Sequence, residues 1–238
     1  MTLPIYLAMT AAEMSSRTPL PEHCAYMACH FSPYGTGLSD LPAELPEESI
    51  LIINDRIPVA NHDPQQILKQ INTLLKQTSI CAILLDLQQK GCKQTQAIAC
   101  AIAENIHLPV GVSEHYATGL SCPVFISAPA LHVPLSQHLL PWSGREIWLD
   151  AALNASRYTI RQSGCSQEAC SCAIESFPLQ DQGLHCHYRI QRESDAVIFT
   201  LQRTSEDLQE LLAEGQNLGV TKAIGLYQEY EQAKQLSP

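Results

Sequence analysis

Short, continuous apolar runs recur along the first two thirds of the chain and once more near its end. Continuous rather than alternating apolar character is typical of parallel strands that are buried on both faces. Each run closes on polar or small residues, as strands do where they meet a loop. The pattern predicts eight strands, at residues 4–9, 24–31, 50–54, 81–87, 109–113, 123–127, 146–149 and 221–227.

Three segments have the apolar spacing of amphipathic helices. In residues 63–77 an N-cap candidate precedes Pro64, and apolar side chains follow at helical spacing. Residues 93–106 show the same stripe, and residues 205–219 begin with Ser205 as a predicted N-cap and end on a glycine. Strands that alternate with helices predict a parallel sheet covered by helices.

Between the seventh and eighth predicted strands the pattern changes to the alternation of antiparallel strands. Apolar and polar positions alternate at residues 158–161, 184–190 and 196–201, with turn-rich segments between them. This stretch is therefore predicted to be an antiparallel insertion. By contrast, residues 113–123 are too few to hold a full helix between two strands, which predicts a sheet that lacks some helices.

Composition narrows the class of protein. A chain of 238 residues with 45% hydrophobic content can bury one large core, and this length is common for a single α/β barrel domain. The formal net charge of -10 and the lack of a basic cluster exclude nucleic acid as an expected partner. No apolar run approaches the roughly 20 residues that span a bilayer, so no membrane association is expected. No cofactor is predicted.

The cysteines and the N-terminal residues indicate the cellular compartment in which the protein is expected. Ten cysteines follow an N-terminal stretch that has neither a basic segment nor a long apolar one. Free thiols in a reducing compartment are the expectation, and the predicted location is cytoplasmic.

Residues 81–88, Cys-Ala-Ile-Leu-Leu-Asp-Leu-Gln, hold the main candidate for chemistry. Because side chains alternate along a strand with a period of two, Asp86 and Gln88 are predicted on one side of the strand end. This run resembles the fourth strand of family 18 glycoside hydrolases, whose signature is Asp-x-x-Asp-x-Asp-x-Glu. The predicted insertion before the last strand and the final helix and strand, at residues 199–227, resemble the same family, and in particular its chitinases and spore peptidoglycan hydrolases.

The resemblance implies an α/β fold, a pared-down (β/α)8 TIM-type barrel with a small antiparallel β-rich insertion before the last strand. Barrel strands one to seven are expected in residues 1–150 and the insertion in residues 151–195. The end of the insertion, the last helix and the last strand are expected in residues 196–238.

The resemblance also implies an N-acetylated glycan of the chitin or peptidoglycan type as the ligand, an oligosaccharide partner. In the family, the Glu protonates the leaving oxygen and the Asp two residues earlier orients the acetamido group of the sugar. Asp86 matches that Asp, whereas Gln88 replaces the proton donor, and an amide cannot serve as a carboxylic acid. Cys81 and Leu84 occupy the earlier Asp positions, and residues 124–128 lack the Tyr-Asp pair of the family's sixth strand.

Two functions are therefore predicted as alternatives: a hydrolase with a rebuilt catalytic pair, or a non-catalytic carbohydrate-binding or scaffold protein. Asp55 and Glu114 follow other predicted strands and are candidate replacement acids, each paired with Asp86. In the simpler interpretation Asp55 forms an ion pair with Arg56, and Glu114 is a solvated loop residue. The candidate substrate-binding residues are Phe31, Tyr34, Asn54, Tyr227 and Glu229.

A third hypothesis, a zinc-stabilised interaction module, depends on the predicted insertion. Soft and imidazole ligands are concentrated there, at Cys165, Cys170, Cys172, His185 and His187. The spacing is not a standard one, and cysteines that pack a thin insertion are the favoured interpretation. No metal is therefore predicted, and the oligomeric state is not predicted either.

Overall fold

The computed structural model describes residues 3–59, 61–170 and 177–236. Within these ranges eight parallel strands close into a barrel, so the predicted (β/α)8 TIM-type fold is confirmed. The barrel closes where Ala25 lies opposite Ile50 and where Ile5 lies opposite Ala223. Numbered with all strands in chain order, the barrel strands are β1 (Ile5–Met9), β2 (Cys24–Tyr26), β5 (Ile50–Asn54), β6 (Ala82–Asp86), β7 (Val110–Ser113), β8 (Val124–Ile126), β9 (Ile147–Asp150) and β15 (Val220–Leu226).

The predicted strand at residues 24–31 is two strands. After β2 the chain leaves the barrel wall, and β3 (His30–Phe31) pairs with β4 (Leu38–Ser39) in an antiparallel hairpin. The Asn54 side chain stabilises the connection, because its amide donates hydrogen bonds to the carbonyls of Met27 at 2.9 Å and Cys29 at 3.0 Å. The apolar pattern gave no signal for this break.

The predicted helices are α2 (Pro64–Leu75), α3 (Lys93–Asn105) and α5 (Ser205–Asn217), and each buries its apolar stripe against the barrel. The N-cap of α5 is Thr204 rather than the predicted Ser205. The Thr204 hydroxyl accepts the Asp207 N–H at 3.2 Å and the Asp207 carboxylate accepts the Thr204 N–H at 2.9 Å, a reciprocal capping box.

Short helices complete the outer layer, and residues 113–123 form turns without a helix, as predicted. No helix in the described ranges is both long enough and apolar enough to cross a membrane. The remaining helices are α1 (Ala11–Ser16), α4 (Leu135–Leu139), a 3-10 turn (Leu140–Trp142) and α6 (Tyr227–Leu236).

Side chains fill the interior of the barrel. Trp148 is fully buried, and its ring lies against Gly111 on β7, where a Cβ atom would come within 2.2 Å of the ring. A residue without a side chain is therefore required at Gly111. Because the interior is a packed core rather than a pore, any ligand site has to lie beyond the strand ends.

The insertion between the seventh and eighth barrel strands is a five-stranded antiparallel sheet. It packs on the barrel through an apolar cluster that includes Leu131 from the barrel side and Tyr158, Cys186 and Leu201 from the sheet. Its strands are β10 (Ala155–Arg161), β11 (Gly164–Ala169), β12 (Leu179–Asp181), β13 (Cys186–Arg192) and β14 (Ala196–Gln202). They lie in the order β11-β10-β14-β13-β12.

Candidate active site

The carboxyl ends of the barrel strands open into a cleft with a volume of about 670 Å³. Apolar side chains of the barrel interior, such as Leu84 and Phe125, form its floor. Its rim and walls are polar, as expected where parallel strands end in a barrel. The polar and charged lining includes Asn54, Asp55, Arg56, Asp86, Gln88, Ser127, Asp150, Asn154 and Glu229.

Asp86 and Gln88 lie together in this cleft, on the same side of the β6 end. The Gln88 side-chain amide donates a hydrogen bond to Asp86 Oδ1. Burial raises the pKa of Asp86, and the nearby Asp55 charge raises it further, while the hydrogen bond from Gln88 lowers it. Leu84, two residues before Asp86, packs inside the barrel with Ile52 and Trp148. An apolar contact thus stands where the resembling family has a second carboxylate.

Asp55 holds the loop that carries Gln88. Its carboxylate is buried and accepts the backbone N–H groups of Gln88 at 2.8 Å and Gln89 at 2.9 Å. The Gln89 side-chain amide returns a hydrogen bond to the Asp55 carbonyl at 2.7 Å. The expected ion pair with Arg56 is absent from this network, since Arg56 pairs with Asp40 at 3.3 Å. Asp55 therefore positions the site, with both carboxylate oxygens occupied by backbone donors.

Asp150, at the end of β9, is a carboxylate of the cleft that is not among the residues predicted from the sequence. It is partly buried, and burial together with the Glu229 and Asp86 carboxylates raises its pKa to about 6. A hydrogen bond from the Ala128 backbone and the charge of Arg203 oppose this rise. The residue follows the predicted strand 146–149 directly, so the strand-end rule that selected Asp55 and Glu114 would also have selected it.

Two further predicted residues line the cleft, and the side chains of both also form hydrogen bonds with main-chain groups. The side-chain amide of Asn54 donates hydrogen bonds to the carbonyls of Met27 and Cys29, which precede β3. Glu229 lies in the first turn of α6, and its Oε2 accepts the Leu153 N–H at 2.9 Å. The last barrel strand ends at Leu226, so Glu229 reaches the cleft from a helix rather than from the predicted strand end.

The other predicted site residues are not among those that line the cleft. Phe31 is fully buried, with its ring 5.5 Å from that of His62, so it fills the core. Tyr227 is buried beneath Arg17, whose guanidinium carbon lies 5.3 Å from the ring centroid. Tyr34 is 86% exposed in the loop between β3 and β4. Glu114 follows β7 and is partly buried outside the cleft.

The candidate zinc residues serve other contacts. His185 Nε2 lies 2.8 Å from Glu214 Oε2, and His187 Nδ1 lies 2.8 Å from Asp207 Oδ2, which ties β13 and the preceding turn to α5. Cys165 is exposed on β11, Cys170 is partly buried, and Cys172 lies outside the described residues. Among the described residues no group of three or more His, Cys, Asp or Glu is placed to bind a metal ion.

The raised pKa of Asp150 predicts a pH-dependent cost in stability. The folded-state pKa of Asp150, about 6, exceeds the ordinary value of 3.8. The contribution of Asp150 to the stability of the native state is therefore most favourable below about pH 4 and is lost as the pH rises to about 6. Asp150→Asn removes this loss. We expect the variant to exceed the wild type by about 1–3 kcal/mol in free energy of unfolding at pH 7, and by little at pH 4.

Urea unfolding at a series of pH values measures this difference. Asp195→Asn, which changes an exposed carboxylate at the far end of the insertion, is the matched control and should show no such pH dependence. A difference between Asp150→Asn and the wild type that stays constant from pH 4 to pH 7 would contradict the assignment.

No protein-family model matches the sequence, and no curated protein matches it at a significant level. Solved structures do match in fold. The spore cortex-lytic enzyme SleL of Bacillus cereus aligns over 98% of this chain and 73% of its own, with a TM-score of 0.58 and 10% identity. SleL of Bacillus megaterium aligns over 99% and 74%, with a TM-score of 0.56 and 10% identity. A chitinase of Chromobacterium violaceum aligns over 98% and 99%, with a TM-score of 0.50 and 8% identity.

These comparisons define the class of fold. The chain has a barrel of the kind found in spore cortex-lytic enzymes and a chitinase, so the predicted likeness to a family 18-type barrel is confirmed at the level of the fold. Sequence identities of 8% and 10% transfer no residue roles. The chemistry of this chain therefore has to be inferred from its own cleft.

Proposed function

We propose that the protein binds an N-acetylated glycan of the chitin or peptidoglycan type in the cleft, with Asp86 in contact with the acetamido group. The observation that carries this proposal is the position of Asp86: it ends the fourth barrel strand inside the cleft and receives the Gln88 amide. The fold supports the choice of ligand, since solved structures with a similar barrel are a chitinase and spore cortex-lytic enzymes.

Gln88 acts in this proposal as a positioning residue. Its backbone is fixed by Asp55 and its side chain is directed at Asp86. An amide in this place cannot give up a proton as a carboxylic acid does, but it can hold the Asp86 carboxylate in one orientation. Recognition of the acetamido group needs only that orientation.

The charges of the cleft favour a neutral glycan over an acidic one. Asp86, Asp150 and Glu229 face it, and Arg56 is the only cation among its described lining residues, already paired with Asp40. Carboxylates on the ligand, such as those of muropeptides, would meet like charges. We therefore expect neutral N-acetylglucosamine oligomers to bind more tightly than muropeptide fragments. We propose a cytoplasmic location for the protein, and the ligand there is a soluble glycan fragment.

Titration calorimetry with N-acetylglucosamine oligomers tests the proposal. Asp86→Ala is expected to weaken binding by about 10-fold to 100-fold, the equivalent of one lost hydrogen bond to a charged group. Asp195→Ala removes an exposed carboxylate outside the cleft and should bind as the wild type does. Equal affinities for the wild type and Asp86→Ala, or no binding of any oligomer by the wild type, would refute the proposal.

A further inference from the structure

We propose that Asp150 is the general acid of this cleft and that the protein cleaves the glycan it binds, with the proton donor moved from the fourth barrel strand to the seventh. The inference deepens the proposed function and rests on it, since Asp150 can protonate only a ligand that Asp86 holds in the cleft. The resemblance in sequence places the donor at Gln88, and nothing in that resemblance points to the seventh strand.

The position of Asp150 carries the inference. It is the last residue of β9, and β9 and β6 are separated by β7 and β8 along the barrel wall, so Asp150 and Asp86 approach the cleft from different sides. Both side chains line the same 670 Å³ space. A glycosidic bond that lies in the cleft beside an acetamido group at Asp86 is thus within the space that Asp150 also lines.

The surroundings of Asp150 suit an acid that must hold a proton. Burial and the neighbouring carboxylates of Glu229 and Asp86 raise its pKa to about 6, so the acid form is present near neutral pH. The Ala128 N–H and the Arg203 charge limit the rise, which keeps the proton transferable. These are the groups that face Asp150 from the β8 loop, from α6, from β6 and from the end of the insertion.

The other carboxylates of the cleft are committed to different tasks. Both oxygens of Asp55 accept backbone N–H groups. Glu229 Oε2 accepts the Leu153 N–H. Asp86 receives the Gln88 amide, a hydrogen bond that favours the charged form. The pKa of Asp150 is raised to about 6, and Asp86, which is held by the Gln88 amide, is its carboxylate partner in the cleft.

The chemical step balances with water as the co-reactant. The Asp150 carboxyl proton passes to the glycosidic oxygen as the bond from that oxygen to the anomeric carbon breaks, and the bonding electron pair stays on the oxygen. The acetamido oxygen, oriented by Asp86, forms the new bond to the anomeric carbon. Water then displaces the acetamido oxygen and returns one proton to the Asp150 carboxylate, which leaves two shorter glycans.

Product analysis on two kinds of substrate tests the inference. The first is an N-acetylglucosamine oligomer, whose sugar leaving group needs protonation. The second is an aryl glycoside of the same oligomer with an acidic phenol, which leaves without it. We expect Asp150→Asn to lose about 100-fold to 10,000-fold in rate on the oligomer and far less on the aryl glycoside. Wild-type cleavage of the oligomer should fall as the pH rises above about 6, as the acid form is lost.

A second variant keeps the test decisive. Adding Gln88→Glu to Asp150→Asn restores a carboxylic acid on the fourth strand and should recover cleavage of the oligomer, whereas Asp195→Asn should behave as the wild type. Binding of the oligomer is measured by calorimetry for every variant. Binding by the wild type without cleavage of either substrate overturns the inference and leaves the proposed function standing, and equal cleavage by the wild type and Asp150→Asn also overturns it. No binding by the wild type refutes both.

Discussion

Arg203→Met is expected to lower the free energy of unfolding by about 2–4 kcal/mol, because it removes a buried cation from a group of polar atoms that depends on it. Arg203 is 2% exposed. Its guanidinium donates hydrogen bonds to the carbonyls of His185 at 3.3 Å and Leu184 at 3.5 Å, and its charge acts on Asp150 and Asp207. Methionine fills much of the same space but donates no hydrogen bond to these carbonyls and carries no charge beside the carboxylates.

Urea unfolding at pH 7 measures this effect, and Arg161→Met is the matched control. Arg161 is an arginine of the same inserted sheet, but its side chain is 45% exposed and its contact with Asp195 is at 3.6 Å. Exposed pairs of this kind contribute little, so the control should stay within about 0.5 kcal/mol of the wild type. Similar losses for the two variants would mean that the burial of Arg203 has no energetic consequence.

Asp55→Asn is the second change with a large expected effect, and it links stability to ligand binding. The variant has almost the same shape, but its NH₂ group faces the N–H of either Gln88 or Gln89 in place of an acceptor. A buried donor left without a partner costs about 1–3 kcal/mol, and more when the lost acceptor is charged. The loop that carries Gln88 should then shift, and Asp86 should lose its fixed amide partner.

Unfolding and calorimetry on the same Asp55→Asn preparation give the two readouts. We expect a loss of about 2–3 kcal/mol in stability and a loss of at least about 10-fold in affinity for N-acetylglucosamine oligomers. Asp195→Asn should change neither quantity. A variant that is less stable but binds with unchanged affinity would show that the loop does not position Asp86.

The order of the barrel strands could be predicted because buried parallel strands are marked by continuous apolar runs. The strand that ends at Asp86 and the inserted sheet before the last strand were predicted in this way. The break between β2 and β3 could not be, since residues 24–31 are uniformly suited to a strand and the break depends on the Asn54 amide, which lies far along the chain.

The pairing of Asp86 with Gln88 followed from the period of a strand, whereas the role of Asp55 did not follow from any local pattern. Its partners are backbone N–H groups more than thirty residues away along the chain. Because nearly every residue type has a backbone N–H, the amino-acid sequence does not indicate which of these groups a carboxylate will bind. The positions of the aromatic candidates could not be predicted for a related reason. Phe31, Tyr34 and Tyr227 have the same sequence character as ligand-stacking rings, and only the packing shows which rings are buried and which face away from the cleft.

The contact between Gly111 and Trp148 sets a rule for recognising distant relatives of this chain. The indole occupies the volume that a side chain on the fifth barrel strand would need, so the two positions share one fixed space. A relative with a bulkier residue at the first position has to carry a smaller one at the second. Exchange of the indole for a small side chain, without a larger residue on the fifth strand, would leave a cavity in the core of the barrel and cost stability.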